Sequence, residues 1–183
     1  MSKYIERLVD KTLKDELEAF GAVLITGPKW CGKTTTGLNQ AKSTLFLQNP
    51  DEREQNRRLA DIKPSLLLEG DNPRLIDEWQ DAPQLWDAVR FSVDQRGEIG
   101  LYILTGSTSV YESAIAHSGT GRISRLHMRT MSLYESGDSN GEVSIKNLIN
   151  GEEIASKSPH DIEDIAELIV GGGWPASVGK ELH

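Results

Sequence analysis

What this sequence lacks narrows it first. Its 183 residues include a single cysteine, Cys31, which excludes an internal disulfide framework and any cysteine-rich metal site. Apolar runs such as Ala22–Ile25 and Leu66–Leu68 stop far short of the ~20 residues that a membrane-spanning helix needs. The opening Met1-Ser2-Lys3-Tyr4-Ile5-Glu6-Arg7 mixes in acidic charge and has no apolar signal region. A cytoplasmic protein without membrane partners is therefore expected. Positive charge is also scarce, with a formal net charge of −8. Most generic polyanion affinity comes from clustered cations neutralising phosphates, so the balance argues mildly against a nucleic-acid clamp. Arg122, Arg125, His127 and Arg129 nevertheless lie close together in sequence and leave room for a local basic patch.

What is present is an ordinary globular composition, 37% hydrophobic and 26% charged, long enough for one domain or for one domain plus part of another. Ile5, Leu8, Val9, Leu13, Leu17 and Phe20 recur at steps of three and four, which predicts an amphipathic helix ended by Gly21. Ala22–Thr26 reads as a strand, Lys33 to about Ala41 as a helix, Thr44–Leu47 as a second strand and Asp51–Leu59 as a solvated helix. Pro64–Leu68 reads as a helical turn and Arg74–Asp77 as a third strand. Asp81 is the expected cap of a helix carrying Leu85, Trp86, Val89 and Val93 inward, closed at Arg96-Gly97. Leu101–Leu104 is a fourth strand, Ser109–His117 a short helix and Arg122–Met128 a fifth strand. Gly137–Lys157 is expected to be a mobile excursion, and Ser158 to cap a last helix bearing Ile162, Ile165, Leu168 and Ile169. Strands alternating with helices predict an α/β fold, a parallel sheet covered on both faces.

Gly27-Pro28-Lys29-Trp30-Cys31-Gly32-Lys33-Thr34 fits glycine, four residues, then Gly-Lys-Ser/Thr, placed between an apolar strand and a helix. That is the pattern of a P-loop, whose backbone N–H groups cradle phosphate at the positive end of a helix. The expected ligand is ATP with Mg²⁺. Lys33 reaches the β/γ oxygens and serves catalysis, and the Thr34 hydroxyl ligates Mg²⁺. The remaining nucleotide contacts fall to Gly27, Pro28, Lys29, Cys31, Gly32 and Thr35, although Thr35 reads first as a continuation of the helix and Cys31 as a loop filler rather than a thiol made reactive by positive potential. The third strand ends in Asp77-Glu78, at the strand edge where parallel sheets bind ligands. Asp77 is placed to hold the Mg²⁺ shell opposite Thr34, and Glu78 to polarise an attacking water. A carboxylate beside the metal ligand favours hydrolysis over transfer to a small molecule.

With these motifs in order the chain resembles the N-terminal domain of bacterial and archaeal AAA-like ATPases that carry a C-terminal domain of unknown function. The likeness runs through Tyr4–Arg7, Val23–Pro28, Gly32–Thr36, Leu75–Pro83, Leu104–Ser107, Gly121-Arg122 and Gly172–Pro175. It implies a five-stranded parallel sheet of AAA-type order, in three layers, with the fourth strand between the P-loop strand and the acidic strand. It implies that Thr105 or Ser107 supplies a sensor hydroxyl at the γ-phosphate. It also implies that Arg122 acts as an arginine finger towards a neighbouring copy, which would make the protein a homo-oligomer. Two departures stand out. Lys29 replaces the usual arginine after Gly-Pro, and relatives continue past Gly-Gly-Trp-Pro. Residues 1–157 are thus expected to form the ATPase domain and 158–183 to begin a helical lid that is cut short, with slow hydrolysis as the consequence. The missing part would carry the conformational change to a protein or nucleic-acid effector. The rival expectations are a nucleotide-dependent switch with negligible turnover and a small-molecule phosphotransferase.

Overall fold

Alternate residues of the first strand go to opposite cores, and the layering follows from that. A computed structural model describes residues 4–107 and 119–178. In β1 (Ala22–Gly27), Ala22 and Leu24 enter one apolar cluster while Val23 and Ile25 enter another, all fully buried. β3 (Arg74–Asp77) divides Ile76 from Leu75 in the same way, and β4 (Tyr102–Ser107) divides Tyr102 and Leu104 from Ile103. Strands apolar on both faces belong in the middle of a parallel sheet with helices on each side. β2 (Ser43–Phe46) and β5 (Ile123–His127) take the edges, in the order β2-β3-β4-β1-β5, all pairings parallel. The fourth strand lies between the P-loop strand and the acidic strand, as the resemblance implies.

One face is covered by α1 (Leu8–Leu17), which contributes Leu13 and Leu17, and by α2 (Lys33–Gln40). The other is covered by α3 (Arg53–Ile62), a 3₁₀ turn at Pro64–Leu68 and α4 (Gln84–Arg96). Leu85, Trp86, Val89 and Val93 of α4 are all buried, as their spacing predicts, and the Trp86 and Trp79 rings meet at 5.1 Å between centroids. The expected cap differs. Asp81 belongs to a separate 3₁₀ turn, Trp79–Asp81, and Pro83 occupies the N-cap of α4, because the turn closes with Ala82 N–H donating to Trp79 O.

The chain divides into two compact units, Arg7–Arg129 and a second formed by the residues before Arg7 together with those from Thr130 onward. Described residues of the second unit include α5 (Leu133–Ser136), α6 (Ile145–Ile149) and α7 (Ile162–Gly171). α6 lies inside the stretch expected to be an excursion. Asp161, not Ser158, caps α7: its carboxylate accepts from the Glu163 and Asp164 N–H groups, and the Asp164 carboxylate accepts from Asp161 N–H. This reciprocal box satisfies three donors, which a serine three residues earlier does not reach. The helix expected at Ser109–His117 lies outside the described residues. No helix among those described is long and apolar enough to cross a membrane.

Candidate nucleotide site

The parallel register aligns the carboxyl ends of the strands, and the chemistry gathers there. Gly27 of β1 is in register with Ser107 of β4, and Ile25 with Thr105. β3 ends beside them at Asp77. Between β1 and α2 the loop turns through Gly32, whose φ of 103° suits glycine and few other residues. Gly27 is required by crowding, since a Cβ there would stand 2.2 Å from the Met128 carbonyl oxygen. Trp30, at φ 63°, completes the turn and is 86% exposed.

Lys33 opens α2 and is buried, yet its ammonium is not idle. Nζ donates to the carbonyls of Gly27 at 3.1 Å and Pro28 at 2.9 Å, folding back across the loop. One residue on, the Thr34 hydroxyl donates to Asp77 Oδ1 at 2.7 Å. The Thr105 hydroxyl donates to the same oxygen at 2.7 Å and accepts from the Glu78 N–H at 3.0 Å. Thr105 is fully buried, so this one side chain fixes both acidic residues. Glu78 is left-handed, φ 55°, and its carboxylate accepts from Gln80 Nε2.

A hydroxyl and a carboxylate in contact, both hard oxygen donors, suit Mg²⁺, which is bound through one or two such ligands with water and phosphate completing the shell. Thr34 and Asp77 would hold it. Together with the loop's N–H groups and Lys33, the arrangement can bind a polyphosphate chain at the end of α2.

The structure thus brings Gly27, Gly32, Lys33, Thr34, Asp77, Glu78, Thr105 and Ser107 to one sheet edge. Pro28 and Lys29 are exposed on the loop, and Thr35 is exposed on the first turn of α2. Cys31 is fully buried, with its thiol 3.9 Å from the Met128 carbonyl, so its side chain anchors the loop from beneath. Arg122 is the outlier. It precedes β5, next to Ala22 at the start of β1, roughly 16 Å of strand from the loop. There Nε donates to Asp94 Oδ1 at 2.7 Å.

Two residues with structural claims on the site had no role assigned from sequence. Gln80 contacts the Glu78 carboxylate, a contact that depends on the left-handed turn at Glu78. Arg7 is 7% exposed and donates from Nη1 to Cys31 O at 2.8 Å and from Nη2 to Arg129 O at 3.0 Å. The signals available for Arg7 were its place at the start of the amphipathic helix, just before Leu8, and its presence in the Tyr4–Arg7 stretch that carries the resemblance.

Residues 19–137, more than half of the chain, match a family described as "AAA domain". The uncharacterized proteins Rv2008c of Mycobacterium tuberculosis and Mb2031c of Mycobacterium bovis are each 31% identical over 133 residues, 69% of this chain and 29% of theirs. The chain therefore spans less than a third of the length of these relatives. A solved structure of C. elegans PCH-2 aligns over 86% of this chain and 51% of that one, at 14% identity and a TM-score of 0.37.

Proposed function

This chain belongs to the AAA domain family, a family of nucleotide-binding, ATPase-like modules, and on that premise we propose that it binds and hydrolyses ATP with Mg²⁺. The observation that carries the reading is the convergence of the Thr34 and Thr105 hydroxyls on Asp77 Oδ1, each at 2.7 Å, at the mouth of the phosphate loop. A carboxylate so held is set for a cation beside a polyphosphate. On binding, Lys33 exchanges the Gly27 and Pro28 carbonyls for phosphate oxygens, a stronger, charge-assisted partner. Mg²⁺ held by Thr34 and Asp77 would supply positive charge to the β- and γ-oxygens. Glu78 accepts a proton from the attacking water; the Ser107 hydroxyl, at the carboxyl end of β4, serves the γ-phosphate, and Thr105 serves it through Asp77 and Glu78, which it holds. Arg122, on the opposite edge, could serve only the site of a second copy.

A second reading, a nucleotide switch with negligible turnover, is favoured by one contact: Gln80 occupies the Glu78 carboxylate. Hydrolysis would drive, and a switch would signal through, the segment beyond residue 157 that contains α7, a helical lid that passes the change to a protein or nucleic-acid effector.

Calorimetric titration with Mg²⁺-ATP and a phosphate-release assay decide the matter. Lys33→Ala is expected to abolish binding. Glu78→Gln is expected to keep binding and lose about a hundredfold or more of turnover, the usual worth of a positioned base. Wild-type release at background despite measurable binding would leave the switch; unchanged affinity in Lys33→Ala would remove the site.

A further inference from the structure

Arg7 carries the inference. It is a charged side chain buried among backbone, 24 residues from Cys31 and 122 from Arg129, and it binds the carbonyl of each. Burying a guanidinium costs several kcal/mol unless its donors are matched, so a residue held this way is holding something. What it holds is the loop. A trans peptide is planar, with C=O and N–H on opposite sides, and the Cys31–Gly32 bond is trans. With the Cys31 carbonyl accepting from Arg7, the Gly32 N–H must point the other way, away from the guanidinium.

The second contact fixes the clamp to the sheet. Met128 N–H donates to Thr26 O at 2.7 Å, and the Met128 carbonyl crowds Gly27 and lies under the Cys31 thiol. Met128–Arg129 is thus the floor of the loop, and Arg7 ties the Cys31–Gly32 peptide to it. Helix α1 holds Arg7 in turn, since the Arg7 N–H donates to the buried Asp10 carboxylate at 2.8 Å. Lysine could not substitute, because one ammonium on a flexible stem lacks the planar fork that spans two carbonyls.

We propose that Arg7 is a positioning residue of the phosphate loop, aiming the Gly32 N–H at the nucleotide's phosphates by bridging the Cys31 and Arg129 carbonyls from behind. The proposal rests on the reading that this loop binds a nucleoside triphosphate.

The test uses the Mg²⁺ complex of a non-hydrolysable ATP analogue, followed by calorimetry and by ¹H–¹⁵N NMR. In the wild type, saturation should shift both the Gly32 amide and the Arg7 guanidinium resonances; a guanidinium signal that stays put overturns the proposal without any variant. Arg7→Ala should weaken binding about ten- to a hundredfold, the range for a hydrogen bond to a charged group. Arg7→Lys should fold like the wild type, lose several-fold of affinity and show a smaller Gly32 shift, with the Gly37 shift unchanged. Wild-type affinity and an undiminished Gly32 shift in Arg7→Lys would refute the positioning role while the triphosphate reading stood. Absence of binding by the wild type would instead sink that reading, and this proposal with it.

Discussion

Thr105 shows how much one residue can settle. It sits with no exposed surface, after the apolar Ile103 and Leu104 of its strand, yet its hydroxyl both donates to Asp77 and accepts from the Glu78 backbone. A buried polar atom is tolerated only when matched, and removing one partner leaves the other stranded. Thr105→Val keeps the shape and deletes the hydroxyl, so the Glu78 N–H loses its acceptor and Asp77 one of its two hydroxyls. The expected cost is about 1–3 kcal/mol, read from denaturant unfolding, together with weaker Mg²⁺-dependent nucleotide binding. Thr105→Ser should restore most of both. Equal stability and equal Mg²⁺ dependence in the valine variant would show that Asp77 is held by Thr34 alone.

At the scale of elements, spacing was a good guide wherever burial decides the structure. β1, β3 and α4 were legible because Val23, Ile25, Leu75, Ile76, Leu85, Trp86 and Val89 are all fully or nearly fully buried, and the parity of each strand or the stripe of the helix follows from that. The phosphate loop was legible because its glycines and Lys33 are local in sequence. Caps were not. Ser158 and Asp161 each have an acid three residues later, and the same pattern fits both, so only the backbone could choose Asp161. Arg7 was illegible as a clamp for a different reason: its partners are carbonyls, which every residue has. Gly27 illustrates how the loop and β5 depend on each other. Gly27→Ala would set a Cβ 2.2 Å from the Met128 carbonyl oxygen, and backbone, unlike a side-chain tip, cannot swing aside. The expected loss is about 1–3 kcal/mol of stability or more, as for overpacking of a filled core, with nucleotide binding lost in parallel. Thermal unfolding and calorimetry of this variant check both, and a stable, binding-competent Gly27→Ala would mean that Met128 can move.

At the scale of the whole molecule the two units differ in what they bury. The unit Arg7–Arg129 contains both apolar clusters. Helix α7 in the other unit has no buried residue among its ten, with Ile162, Ile169 and Val170 each more than three-quarters exposed. Local opening free energy tracks buried apolar contact, so amides of β1, β3 and β4 should exchange with solvent far more slowly than those of α7. A ligand that binds only the folded form stabilises it by about 2.7 kcal/mol at a hundred times its Kd. Every site group named for the triphosphate lies between Gly27 and Arg122, within one unit. Mg²⁺-ATP at that concentration should therefore slow exchange across β1, β3 and β4 by about a hundredfold, while α7, which holds no site group, changes by less, and its smaller change reports the signal that the lid receives. Mass-spectrometric hydrogen exchange with and without nucleotide measures this directly. If α7 gained the same protection as the strands, the two units would be opening as one cooperative unit.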